Sequence, residues 1–176
     1  MIDFFIKSRI NRLIHSQKRK NCFKNLDTIK TILILYNTSE YKRVNDFAKK
    51  LTHLGKKVST CGYVEKEDTA NHTASANNLF LYPKEHINWL KMPTGSFLSQ
   101  LSANQYDTVI DLTLIENLTM EYLLLSIACP FKIGLEKKDK QLYDFSLSCE
   151  KMPRDGQSLD YWGNQIIHYL KTIRST

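Results

Sequence analysis

At 176 residues, with 42% apolar and 24% charged side chains, the chain has the length of one domain and enough apolar content to bury a core without metal or disulfide staples. This composition argues against disorder along the whole chain. The absence of any apolar run near the roughly 18 residues of a bilayer span argues against a transmembrane protein. The net charge of +7 is concentrated in residues 1–30, which hold eight Lys/Arg against Asp3 and Asp27 and leave the remainder close to neutral.

In chain order, Ile2, Phe5, Ile6, Ile10, Leu13 and Ile14 recur at helical spacing, with Lys7, Arg12, Lys18 and Arg19 mostly off that face. Lys7, Arg9 and Arg12 break the apolar stretch, and no small-residue cleavage site follows, so a secretory signal is not expected. The polar stretch Ser16 to Asn21 and the charge step near residue 30 predict a basic amphipathic helical arm over 1–25 and a single domain over 30–176. Thr31 to Tyr36 is a short continuous apolar run, as expected of a strand covered on both faces. Thr38 or Ser39 is suited to cap a helix carrying Val44, Phe47, Leu51 and Leu54, which Gly55 stops.

Lys57 to Val64 reads as the second strand, Glu65 to Asn78 as a polar loop, and Leu79 to Tyr82 as a third strand stopped by Pro83. Thr108 to Leu112 is the fourth strand. Leu118 to Ala128 is a helix apolar nearly all round except Glu121, and Cys129-Pro130 ends it. Phe131 to Leu135 and Asp144 to Ser148 complete the strands, before a helix striped by Leu159, Trp162, Ile166, Leu170 and Ile173. Strands alternating with helices predict a three-layer Rossmann-like open parallel sheet with central order 3-2-1-4-5, preceded by the basic helix.

In such a sheet a ligand crevice opens beyond the strand carboxyl ends where the strand order reverses, here between the first and fourth strands. The candidate ligand-binding residues are therefore Asn37, Thr38 and Ser39 on one side, and Asp111, Thr113, Glu116 and Asn117 on the other. N–H groups at the helix entered through Thr38 and Ser39 suit an anion, and Asp111 suits a ligand hydroxyl, or base chemistry if burial raises its pKa. Each also has an ordinary structural role, since Asn, Thr, Ser and Asp cap helices and turns. The aromatics of Asn88-Trp89 and Tyr161-Trp162 read first as core anchors rather than ligand platforms.

The sequence speaks against several chemistries. No two of the six glycines are closer than seven positions, which leaves no place for a dinucleotide fingerprint, a Walker A loop or a nucleophile elbow. The five histidines are at least fourteen residues apart, which removes local zinc pairs. Cys22, Cys61, Cys129 and Cys149 form no CxxC pair and read as reduced, structural thiols. These features predict a cytoplasmic protein with no cofactor, no metal and no catalytic residue.

The stretch Tyr106-Asp107-Thr108-Val109-Ile110-Asp111-Leu112, followed by Phe131-Lys132-Ile133-Gly134-Leu135, resembles the N-terminal half of bacterial heptosyltransferases of the GT-B fold. Asn88-Trp89 before that strand also resembles a family of small uncharacterised bacterial α/β proteins. The heptosyltransferase resemblance implies the Rossmann-like fold. Those enzymes carry a Gly-Asp pair soon after the first strand, where this chain has Asn37-Thr38-Ser39, and they bind sugar nucleotide largely through a second domain. Sugar transfer by this chain alone is therefore not expected. The favoured reading is a non-catalytic binding or scaffolding module. The alternatives are sugar or nucleotide-sugar chemistry in the crevice near Asp111, and binding through residues 1–25 to RNA, an anionic membrane or a protein partner. For a polyanion the candidate contacts are Arg12, Lys18, Arg19 and Lys20. The remaining possibility is that the helix packs on its own domain.

Overall fold

Six short apolar runs become strands: β1 (Thr31–Asn37), β2 (Lys57–Tyr63), β3 (Asn78–Leu81), β4 (Thr108–Asp111), β5 (Phe131–Leu135) and β6 (Phe145–Leu147). The helices are α1 (Ile2–Ser16), α2 (Tyr41–His53), the single turn α3 (Pro83–His86), α4 (Gly95–Ser102), α5 (Leu118–Ser126) and α6 (Ser158–Thr172). These come from a computed structural model that describes residues 2–16, 22–66, 68, 72–137, 141–148 and 158–174. The strands form one sheet in the order β3-β2-β1-β4-β5-β6, and every neighbouring pair is parallel. The order expected for the first five strands is the order found, and β6 extends the sheet beside β5.

Alternation along β1 divides the core into two layers. Ile32, Ile34 and Tyr36 face Val44, Phe47 and Leu51 of α2 and Leu159, Trp162, Ile166 and Leu170 of α6. Leu33 and Leu35 face the other way, into a cluster built with Phe97 and Leu101 of α4 and Met120, Leu123 and Leu124 of α5. Burial on both faces is why β1 has no polar side chain between Thr31 and Asn37 other than the Tyr36 hydroxyl.

Helix α1 contributes Ile6 and Ile10 to the second cluster, with Leu13 and Ile14 packed at its margin, and it lies against α5. Phe5, expected on the buried face, is instead exposed, because the stripe that meets α5 is centred on Ile6 and Ile10. Of the candidate polyanion residues Arg12 is exposed, whereas Lys18, Arg19 and Lys20 lie outside the described residues.

A carboxylate fastens the amino ends of β1 and β4. Asp107 accepts hydrogen bonds from Lys24 Nζ (2.7 Å), the Lys30 and Thr31 N–H groups (2.9 and 3.0 Å) and Thr31 Oγ1 (3.2 Å). Burial alone would push this carboxyl up. The Lys24 bond, the two backbone donors and the Lys24 charge outweigh burial and hold it well below the usual carboxylate range.

Candidate functional site

The register brings the predicted switch point together, with Leu35 of β1 opposite Asp111 of β4 and opposite Cys61 of β2. Asp111 is the last residue of β4 and is 1% exposed. Its Oδ1 accepts from the Thr113 N–H (2.9 Å) and the Thr113 hydroxyl (2.6 Å), and its Oδ2 from Lys137 Nζ (3.1 Å) and the Tyr143 hydroxyl (2.6 Å). Lys137 also donates to Thr113 Oγ1 at 2.9 Å, which closes the cluster. A carboxylate offers about four lone-pair sites, and here all four are occupied by the protein's own donors.

Neighbouring positions explain how Tyr143 reaches in. Gly134 of β5 is opposite Asp111 in the register, and a Cβ there would run into the Tyr143 ring. On the same face of β5, Lys132 is 1% exposed and donates from Nζ to the Leu124 carbonyl near the end of α5 at 2.6 Å. Glu121, the one charged residue of α5, is fully buried rather than turned to solvent.

On the β1 side, Asn37 and Thr38 are buried and Ser39 is exposed. Thr38 and Ser39 do not cap α2. They begin a 3-10 turn, Thr38–Glu40, and α2 follows from Tyr41. The Ser39 N–H donates to Glu65 Oε2 at 3.1 Å, and the Glu65 N–H donates to Thr38 Oγ1 at 3.4 Å. The backbone donor expected to hold an anion therefore meets a carboxylate of the same chain, which repels one. Asn37 Oδ1 is buried with no hydrogen-bond partner among the described residues.

Asn117 caps α5, its side chain accepting from the Thr119 and Met120 N–H groups at 3.0 and 3.3 Å, and Glu116 is exposed. The predicted set is thus split between a buried cluster (Asp111, Thr113), a helix entry tied to Glu65 (Thr38, Ser39), a cap (Asn117), a surface acid (Glu116) and an unpaired amide oxygen (Asn37). Two clefts flank α2. One, of about 230 Å³, is lined by Tyr36, Tyr41, Thr60 and Asn78, and the other, of about 400 Å³, by Ser39, Arg43, Asp46 and Asp160. Neither is lined by Asp111.

Sequence reasoning missed Lys137 and Tyr143, whose partner lies 26 and 32 residues away. Gly134 inside the FKIGL strand was the available signal, since an interior strand glycine often marks a close approach. Also missed was His72, whose Nε2 lies 2.7 Å from Asp68 and whose ring stacks on Phe80 at 4.7 Å. Cys61 is buried in the core, where burial pushes its thiol up to about 12, and the described cysteines form no disulfide. Among the described residues no three His, Cys, Asp or Glu gather as a metal set, and no helix is long and apolar enough to cross a membrane.

The fold and this cluster define a three-layer α/β protein with an all-parallel sheet and a saturated carboxylate at its switch point. Over residues 3–173 the chain matches the model of DUF6913, a family of unknown function, and it belongs to that family. No curated protein and no solved structure matches it.

Proposed function

We propose that this protein is a non-catalytic binding module whose contacts are made by its outer surface and not by the switch-point crevice. The observation that carries this reading is the occupancy of Asp111. A general base needs a lone pair within reach of the proton it takes, and a ligand-binding carboxylate needs one facing the ligand. All four acceptor sites of Asp111 are filled from within, one pair by the next turn of its own loop and the other by Lys137 and Tyr143. Such a cluster welds β4, β5 and the approach to β6 together. Glu65 closes the helix entry on the β1 side in the same way.

A second reading, sugar or nucleotide-sugar binding in the crevice, draws support from Asn37, whose buried amide oxygen has no hydrogen-bond partner among the described residues and suits a ligand hydroxyl. Assaying the full chain against nucleotide sugars, nucleoside triphosphates and nicotinamide cofactors separates the two. The binding-module reading expects no turnover. Turnover that disappears in Tyr143→Phe or Asn37→Ala while the melting temperature is retained would replace it with the crevice reading.

A further inference from the structure

We propose that the outer surface of α1, together with the turn at residues 88–92, docks on an anionic lipid bilayer. Phe4, Phe5 and Trp89 enter the headgroup boundary while Lys7, Arg9 and Arg12 meet lipid phosphates. This names a partner for the binding module and rests on that reading. The starting observation is aromatic surface left in water: Phe4 is 71% exposed, Phe5 47% and Trp89 75%. The α1 stripe that packs on the domain is Ile6 and Ile10, so both phenylalanines lie outside it, edge to face with each other at 6.1 Å. Lys7, Arg9 and Arg12 are exposed on the same helix.

Trp89 is held out on a preformed turn. The Asn88 side-chain oxygen accepts from the Leu90 and Met92 N–H groups at 2.9 and 3.1 Å, and Ile87 bridges to Pro93. Lys91 takes φ +61°, a conformation uncommon for any residue other than glycine. Two contacts seat this turn against the helices. Lys91 Nζ reaches Asp3 at 2.6 Å, and the Lys91 carbonyl accepts from Thr119 Oγ1 of α5 at 2.8 Å. Asp3 precedes Phe4 and Lys91 follows Trp89 by two residues, so the ion pair holds the turn that carries Trp89 beside the first turn of α1. It also neutralises the one acid of α1.

Charge and ring chemistry select the occupant. Phe4 and Phe5 carry no hydrogen-bonding atom and Trp89 carries one, the pattern of side chains that settle where hydrocarbon meets headgroup. Exposed rings and a cationic rim are the two signals whose sum holds a peripheral protein on an anionic leaflet. A nucleic acid takes its affinity from the number of phosphates neutralised. The aromatic area exposed here, on the order of 400 Å², gains most where hydrocarbon is within reach.

The test uses the full chain with vesicles of phosphatidylcholine plus phosphatidylglycerol, vesicles of phosphatidylcholine alone, and single-stranded RNA. Of the two tryptophans Trp162 is already buried, so a change in emission reports Trp89. The expected result is salt-sensitive co-sedimentation with the anionic vesicles and a blue shift of emission. Binding should weaken about tenfold or more in Phe4→Gln/Phe5→Gln and in Arg9→Gln/Arg12→Gln. All four side chains are exposed, so both variants should melt with the parent protein. No association with anionic vesicles, association without the blue shift, or undiminished binding in both variants would overturn the proposal. So would RNA binding that produces the shift when vesicles do not. None of these outcomes touches the binding-module reading, which falls to turnover.

Discussion

Replacing Asp111 by Asn tests whether the switch-point carboxylate is a structural weld. The amide oxygen retains two of the four acceptor sites, while the amide NH₂ turns its hydrogens toward donors. Two charge-assisted hydrogen bonds are lost, each worth about 1.5–3 kcal/mol. Lys137, whose side chain is 9% exposed, keeps a buried ammonium without its counter-charge, the situation in which breaking a buried pair costs about 3–5 kcal/mol. These costs overlap, and the expected loss is about 4 kcal/mol, or a fall in melting temperature of about 8–16 °C for a chain of this length. Urea unfolding followed by circular dichroism measures it. The companion variant is Lys137→Met, which removes the charge and keeps the stem. If the two charges act as a pair, the double variant loses less than the sum of the singles by more than about 1 kcal/mol. A loss under about 1 kcal/mol in Asp111→Asn, or strict additivity, would refute the weld and reopen Asp111 as a group with capacity to spare.

Asp107 predicts a pH dependence. Its folded pKa lies below the unfolded value, so the stability it contributes is present above pH ~4 and is lost as pH falls toward the folded pKa. Asp107→Asn should flatten the acid limb of a stability-against-pH curve, and equal slopes in parent and variant below pH 4 would contradict the assignment. Gly134→Ala should cost about 1–3 kcal/mol by driving a methyl group into the Tyr143 ring, and should be partly relieved by Tyr143→Leu in a thermal-melt comparison. Ile6→Ala, at a fully buried position, should lower stability by about 2–4 kcal/mol, whereas a neutral result would show that the domain folds without α1.

Much of the sheet was legible because two-sided burial leaves strands no polar alternative. TILILY and TVIDL carry that constraint openly, and their adjacency follows from the βα alternation. Glu121 was harder to read, since a lone acid on an apolar helix is ordinarily its solvent face. Here α5 is packed between the sheet and α1, and the acid goes inside. Phe5 failed in the opposite sense. An isolated helical wheel ranks side chains by hydrophobicity, while the actual seat on α5 selects Ile6 and Ile10.

The candidate site was legible only in part, for a different reason. Asp111 and Asn37 do end β4 and β1, as the strand boundaries suggested, but what each does depends on residues from other segments. Lys137 sits in a run of charges that reads as solvated surface, and Tyr143 in a strand-edge context. Nothing local distinguishes either from its neighbours, because the information lies in the β4–β5 register. The Lys24–Asp107 clip was similarly invisible, its partners being 83 residues apart.

The seat of α1 on α5 also sets an order of events. More than a hundred residues separate the end of α1 from the start of α5, so during translation residues 2–16 emerge long before the surface that covers Ile6 and Ile10. Until residues 118–126 emerge, both sides of α1 are open to solvent, the isoleucine stripe as well as the phenylalanines. Closing so long a loop is slow relative to forming the helix itself, so the contact with α5 is a late step of folding. A nascent chain stalled before α5 lacks the seat for Ile6 and Ile10, and its residues 2–16 leave more apolar surface in water than the finished protein does.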